Sequence, residues 1–406
     1  MTDAMEHQAY QHTPTSPLLL AALKSTLPYS IPLVHRTQHL ASQTPSTYIL
    51  STLPPTTRPA PSAIPPCWAA AYLDRSARPE TELWIFAAGQ VPGHTSSPSR
   101  TPDPVSSPSP AETDLENGTT KIGKDEKNEN EKEKETEEEK EPFCPTCKTA
   151  IHTLLTHIST LPIPPMRPHN QHTLQAALAH QKAHPATGPH ARYPPSPGTY
   201  LRHLLDPSVI TLGAVHAQIA QICLKRGIVR REYPGMEDLL NTFVFRVSDL
   251  PEPRPLPEGL RWGRMREKDI PLVQARTHIP RSANTLLSLE SVGVFEESTD
   301  KAVAWAFLAA DGSLCSLHTE PEYRGKGIAK AVAVRIFKEF APELAVDDEG
   351  TAWAHADVYV GNTQSESVCK SLGGKPMWNS FWVRISLGTP GERAQEAIDI
   401  ATRSSS

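Results

Sequence analysis

The stretch Leu314–Glu339, LCSLHTEPEYRGKGIAKAVAVRIFKE, constrains the fold of this 406-residue chain more than any other. An apolar run ends at Glu320 and Pro321 stops it. Arg324-Gly325-Lys326-Gly327-Ile328-Ala329 then opens a segment in which Ile328, Ala331, Val332, Ile336 and Phe340 recur at three- and four-residue steps. This spacing predicts a strand, a glycine turn and a helix with one buried face. Such a turn leaves several backbone N–H groups unpaired and pointing the same way, and the helix dipole adds positive potential, so the turn suits a phosphate. Gly325 and Gly327 permit close approach, while Arg324, Lys326 and Lys330 add charge. The pattern is neither G-x-x-x-x-G-K-[ST] nor G-x-G-x-x-G, the two commonest phosphate loops.

The surrounding elements predict an α/β (α+β) domain over 260–387 with a mixed sheet flanked by helices. In order they are strand Leu260–Met265, helices Asp269–Arg276 and Ser282–Leu289, and strands Val292–Glu296, Ala302–Ala309 and Leu314–Glu320. Helix Gly327–Phe340, strand Ala352–Val360, helix Thr363–Leu372 and strand Trp378–Leu387 follow. Asp311-Gly312 between two apolar runs signals a hairpin. Upstream, residues 1–91 form a smaller N-terminal α/β region with helix Ser16–Lys24 and strands Thr47–Leu53, Trp68–Leu73 and Glu82–Ala88. Residues 143–249 are expected to continue it, mainly as the helices Thr149–Thr160, His172–Lys182 and Val209–Lys225. Residues 250–259 (LPEPRPLPEG) are expected to be a linker, and 388–406 a tail.

Composition bears chiefly on residues 92–142. The chain has 41 prolines and a net charge of −5. Residues 112–141 alone carry 13 acidic and 6 basic side chains, a net of −7, which leaves +2 for the rest. A Pro/Ser stretch followed by a Glu/Lys run buries too little apolar surface to offset its ordering entropy, so a disordered acidic insertion is expected. No apolar run approaches the roughly 18 residues that span a bilayer, and the N-terminus lacks a secretory pattern. Six scattered cysteines do not make a disulfide framework. The expectation is a soluble, cytoplasmic protein, with the nucleus also open.

PEYRGKGIA resembles the R/Q-x-x-G-x-G/A signature of the GNAT superfamily of acyl-CoA-dependent N-acyltransferases. Downstream, Asn362-Thr-Gln-Ser365-Glu-Ser-Val368-Cys369-Lys-Ser-Leu372-Gly373 resembles that superfamily's N-x-x-A-x-x-L-Y-x-x-L-G helix. AWAFLAADGSLCSLHTEPEYRGKG together with AWAHADVYVGN is most similar to the C-terminal domain of glycine N-acyltransferase-like proteins. The resemblance covers about a third of the chain, 260–387. It implies a GNAT-like sheet with a V-shaped gap between strands Leu314–Glu320 and Ala352–Val360. Acetyl-CoA or another acyl-CoA would lie there, its pyrophosphate on Arg324, Gly325, Lys326, Gly327, Ile328 and Ala329. Its pantetheine arm would lie near Leu317 and Thr319, with Asn362 also at the cofactor site. It also implies that the N-terminal part is a degenerate copy of the same fold. The amine of a small acceptor or amino acid would attack the thioester directly, which calls for an oxyanion donor, a base and an acid.

The chain departs from the family pattern at two of these. Cys369 stands where many members carry the tyrosine that protonates the thiolate, so it is either that acid or a small core residue. Ser313 stands where glycine N-acyltransferases carry a glutamate base. Simple alternation places Leu314, Ser316, His318 and Glu320 on one face of their strand. His318, with an ordinary pKa of about 6.5, is the first candidate base. Glu320 and the pair His355 and Asp357 are the others. An alternative reading is a catalytically inactive acyl-CoA-binding module whose insertion recruits a partner.

No metal is expected. Cys144-Pro-Thr-Cys147 has only four residues before His152, where a zinc finger places about 12, and no thioredoxin-like pattern surrounds the pair. Neither nucleic acid nor a membrane is an expected partner, and the oligomeric state is not legible.

Overall fold

The computed structural model describes residues 8–39, 42–55, 64–95, 143–183, 203–230, 235–277 and 281–388. All of the 92–142 insertion except residues 92–95, and the tail beyond Gly388, lie outside the described residues. The first half contains β1 (Tyr10–His12), α1 (Pro17–Ser25), α2 (Ile31–Gln38), β2 (Thr47–Ser51), β3 (Ala69–Asp74) and β4 (Leu83–Ala87). It continues with α3 (Pro145–Thr160), α4 (Gln171–Ala183), β5 (Val209–His216), α5 (Ala217–Lys225) and β6 (Leu239–Arg246). The second half contains β7 (Leu260–Gly263), α6 (Ile270–Ala275), α7 (Ala283–Leu287), β8 (Glu290–Glu296), β9 (Ala302–Leu308) and β10 (Leu314–Thr319). Then come α8 (Ile328–Phe340), β11 (Trp353–Tyr359), α9 (Thr363–Ser371) and β12 (Lys375–Ser386).

Apart from α4, the two halves run through the same order of elements. In each, four strands pair antiparallel in sequence, β1-β2-β3-β4 and β7-β8-β9-β10. In each, the fourth strand meets the fifth in parallel at one register position, Leu83 with Leu212 and Ser313 with His355. The halves then exchange their last strands. β12 lies antiparallel between β5 and β6, and β6 lies antiparallel between β12 and β11. Neither half completes its sheet alone, because an unpaired strand edge leaves its backbone groups unsatisfied.

The helices cover both faces as their apolar stripes require. Cys147, Ala150, Ile151, Leu154 and Leu155 of α3 pack against β3, β4, β5 and β12. Val332, Ala333, Ile336 and Phe337 of α8 pack against β8, β9 and β11. Ile270 and Val273 of α6 and Leu286 of α7 cover the opposite face of the second half, against Phe295, Trp305 and Phe307.

One expected element is wrong. Val209–Lys225 is not one helix but β5 followed by α5. A strand flanked on both sides and buried on both faces shows a continuous apolar run, which periodicity cannot separate from a buried helix. The His216 imidazole marks the switch: its Nδ1 accepts the Gln218 N–H at 3.2 Å and caps α5. Three elements had no counterpart in the sequence reading. They are β1, which pairs with β2, α2, which packs on β3 and β4, and β6, which takes part in the strand exchange.

Candidate active site

The turn that starts α8 has the expected geometry. Gly325 and Gly327 have φ of +75° and +78°, the left-handed region that only glycine adopts without strain. Gly327 is the N-cap of α8 and no side chain caps the helix, so the N–H groups of its first turn stay available. Arg324, Gly325, Lys326 and Gly327 are exposed, while Ile328 is buried and Ala329 half-buried. Arg324 reaches back to donate from Nε to the Thr319 carbonyl at 2.9 Å. Lys326 lies over the Tyr323 ring, 5.0 Å from its centroid, and Lys330 donates to the Ser371 carbonyl at 2.7 Å. Thus two of the three cations brace the turn while leaving it open to solvent.

β10 and β11 are the edges of two separate sheets, joined through the Ser313–His355 bridge at the start of β10. Beyond it no further pairing joins them among the described residues, so two unpaired strand edges face a common opening. β10 is also irregular. Its partner in β9 moves from Phe307 at Cys315 to Trp305 at His318, so one extra residue is inserted, and Ser316 takes a φ of +52°. This bulge corrects the predicted alternation: His318 shares a face with Cys315, not with Leu314. Sequence periodicity assumes an unbroken pleat and cannot see an inserted residue. Leu317 is half-buried against the α8 side, and Thr319 is buried with its hydroxyl unpartnered among the described residues.

The His318 ring stacks on Trp305 with centroids 4.8 Å apart. Its Nε2 lies 3.7 Å from Glu320 Oε2 and has no hydrogen-bond partner among the described residues. Burial, opposed by the Glu320 carboxylate, holds the imidazole pKa below the ordinary value, so the ring is a neutral acceptor at neutral pH. Glu320 is itself held by Arg276 at the end of α6, whose Nε lies 3.1 and 3.3 Å from its two oxygens. His318, Glu320 and Arg276 therefore form one polar row beside α6.

The other candidates sit elsewhere. Cys369 is 3% exposed among the apolar residues under α8, and burial pushes its thiol up to about 12. The Asn362 side-chain oxygen caps α9 by accepting the Ser365 N–H at 3.2 Å. Asp357 accepts from Thr242 of β6 at 2.6 Å and burial raises its pKa, while its second oxygen has no partner among the described residues. His355 is wholly buried and neither ring nitrogen has a hydrogen-bond partner among the described residues.

His355 belongs to a buried seam between the halves that sequence reading missed. The Asp311-Gly312 hairpin tip rests on His35 of α2, since a Cβ at Gly312 would overlap that imidazole. Asp311 accepts from Trp84 Nε1 of β4 at 3.2 Å and from the Ser313 N–H and Oγ. Arg36 lies 3.6 Å from the Trp84 ring centroid. No local spacing announces this cluster, because its members come from distant parts of the chain.

The seam makes stability pH-dependent. Burial, with the nearby His355 and His39 adding to it and Asp311 opposing it, pushes His35 down to about 3. A histidine with a depressed folded pKa contributes stability that is complete above about pH 6.5 and is lost as pH falls towards the folded value. The loss is on the order of 4 kcal/mol over that window. Tm should therefore fall steeply between pH 6.5 and 4, and His35→Asn should flatten the slope. An equal slope in the variant would exclude His35 as its source.

The Cys144/Cys147 pair, set aside on its spacing to His152, has other neighbours in space. Cys67 and His94 join it, and the four ligand-type atoms lie within 4.8 Å of one another. His152, the histidine that follows the pair in sequence, is not in this group.

Comparison with known proteins bears on both halves. Residues 5–247, more than half of the chain, match the family described as the acyl-CoA N-acyltransferase verG N-terminal domain. Residues 291–383 match the family of FR47-like proteins. No curated protein matches. Among solved structures, a Drosophila protein is similar over 94% of this chain and 99% of its own, with 11% identity and a TM-score of 0.50. A tandem GNAT protein from the clavulanic acid biosynthesis pathway, solved without AcCoA, is similar over 94% and 99%, with 10% identity and a TM-score of 0.39. A GCN5-related N-acetyltransferase from Sphaerobacter thermophilus is similar over 94% and 96%, also with 10% identity and a TM-score of 0.39.

Proposed function

Because the chain belongs to the acyl-CoA N-acyltransferase family of the verG N-terminal domain, we propose that it transfers an acyl group, acetyl in the simplest case, from coenzyme A to a primary amine. The observation that carries this reading is the opening between the unpaired edges of β10 and β11, with the uncapped glycine turn of α8 at the end of β10. The N–H groups of Gly325 to Ala329 would take the pyrophosphate, with Arg324 and Lys326 adding positive charge. The amides of pantetheine would pair with the free backbone edge of β10 near Leu317 and Thr319, as an added strand does. This leads the thioester to the bulge at Ser316, where N–H groups released from the ladder serve as oxyanion donors.

The acceptor approaches from the α6 side, where His318 stands. A neutral amine attacks the carbonyl carbon, a tetrahedral intermediate forms, and the carbon–sulfur bond breaks to release the thiolate. His318 takes the ammonium proton and Glu320, fixed by Arg276, stabilises the imidazolium. The thiolate receives a proton from solvent. Cys369 is not assigned that role, because a buried thiol raised to about 12 is a poor donor. His355 lies in the buried seam and Asp357 is bonded to Thr242 of β6, and neither is assigned a proton transfer.

The test is thiol release from acetyl-CoA, measured over a panel of small amines and amino acids. Acceptor-dependent release is expected. Coenzyme A binding with no turnover on any acceptor would replace this reading with a binding module.

A further inference from the structure

The two halves differ in how the helix after their fourth strand begins. In the second half a glycine turn leads from β10 into α8. In the first half, among the described residues, no glycine turn leads directly into α3. Instead Cys144 is the N-cap of α3, Cys147 lies in its first turn, and Phe143 and Cys147 pack against Gly89 at the end of β4. A Cβ at Gly89 would meet Phe143 at 3.2 Å and Cys147 Sγ at 3.3 Å, so the helix start sits close on the strand end.

Four side chains converge there from three places in the chain. Cys67 lies just before β3, His94 comes after β4, and Cys144 and Cys147 open α3. Cys67 Sγ is 3.4 Å from His94 Nε2 and 3.5 Å from Cys144 Sγ. His94 Nε2 is 3.8 Å from Cys144 Sγ and 3.3 Å from Cys147 Sγ. Zinc–sulfur bonds of about 2.3 Å and a zinc–nitrogen bond of about 2.0 Å give a tetrahedron with S···S edges of roughly 3.8 Å and S···N edges of roughly 3.5 Å. The observed spacings are those edges to within a few tenths of an ångström. All cysteines are free, so no disulfide accounts for the approach of the sulfurs.

We propose that Cys67, His94, Cys144 and Cys147 bind a single zinc ion that fastens the start of α3 to the ends of β3 and β4. Three thiolates and an imidazole in a tetrahedron select zinc over the harder cations, which prefer oxygen. All four positions are taken by protein atoms, so the ion has no open site for substrate and its role is structural. The mutual distances, all within 4.8 Å, fit one metal atom between the ligands.

The site also explains the tolerance of a long insertion. His94 and Cys144 are 50 positions apart in sequence, and everything between them is spanned by the metal. A clip that closes a long loop removes a large loop-closure entropy from the unfolded chain, so α3 keeps its place whatever the intervening sequence does. The same clip occupies the point where the second half is proposed to receive pyrophosphate.

The full chain, expressed and purified without chelator under reducing conditions, should contain equimolar zinc by elemental mass spectrometry. His94→Ala and Cys147→Ser should each lose the ion, while Cys223→Ala, a buried cysteine outside the cluster, should keep it. Cobalt exchanged into the site should give thiolate-to-cobalt charge-transfer bands and the d–d bands of a tetrahedral centre. Removal of zinc should lower Tm, and readdition should restore it. The half-buried His94 position guards against a variant that merely fails to fold, because its loss leaves the core thiols in place. Folded protein that stays metal-free after dialysis against zinc would overturn the proposal. So would a mass two protons lower with two thiols missing, which would identify a disulfide, or another metal retained in preference to zinc.

Discussion

His318→Ala is expected to lower kcat by about 10²- to 10³-fold, the usual contribution of a positioned base, with little change in KM for the acyl-CoA. The reason is geometric. The bulge in β10 turns His318 to the α6 side, and stacking on Trp305 fixes its plane. The donor is expected on the β10 edge and the acceptor on the α6 side, so losing the imidazole removes proton transfer without removing coenzyme binding. The pH profile gives an independent reading. Because burial holds the His318 pKa below 6.5, the wild-type rate should stay level through neutral pH and fall only below the ordinary histidine range. The variant should lose that acid limb. Glu320→Gln should have a smaller effect than His318→Ala, since it weakens stabilisation of the imidazolium and leaves the acceptor nitrogen in place. A His318→Ala enzyme with full kcat, or with an unchanged acid limb, would remove His318 from the mechanism.

The second large effect is expected at the glycine turn. Gly327→Val forces a β-branched residue into a left-handed conformation, a cost of about 1–3 kcal/mol that distorts the turn rather than the core. No neighbour lies within 4 Å of a Cβ built there, so the substitution acts through the backbone and not through a clash. Arg324→Glu imposes no left-handed strain; it removes the bond to the Thr319 carbonyl and reverses a charge at the turn. Each should weaken coenzyme A binding by at least about tenfold, the scale of one charge-assisted hydrogen bond. Both should largely abolish the rise in Tm that coenzyme A gives the wild type. The Tm of the unliganded Arg324→Glu protein should be nearly unchanged, because that side chain is exposed. Undiminished stabilisation by coenzyme A in both variants would move the phosphate site elsewhere.

The two tests separate binding from chemistry. The turn variants should lose coenzyme binding and turnover together. The His318 variant should keep the thermal shift and lose turnover. If the zinc clip behaves as proposed, its removal should lower stability while the sequence of the glycine turn is untouched, so loss of binding in the turn variants cannot be ascribed to the first half.

The sequence alone settled whatever depends on neighbours along the chain. The strand, glycine turn and helix of Leu314–Glu339, the hairpin at Asp311-Gly312 and the order of elements in 260–387 follow from local periodicity and turn chemistry. The likeness of PEYRGKGIA to an acyl-CoA signature rests on the same contiguous stretch. The repeat of that order in the first half was permitted by the sequence, and the strand pairing realised it. Tertiary structure alone decided the rest. Periodicity could not place an inserted residue in β10, so it put His318 on the wrong face. It could not separate the buried strand β5 from a helix, because burial on both faces erases alternation. The strand exchange of β6 and β12, the His35–Asp311–His355 seam and the Cys67–His94–Cys144–Cys147 cluster all join residues far apart in sequence. Local propensity carries no information about such meetings. The glycine turn could therefore be read in advance, while the metal site became visible only once folding brought Cys67 and His94 to the Cys-x-x-Cys pair.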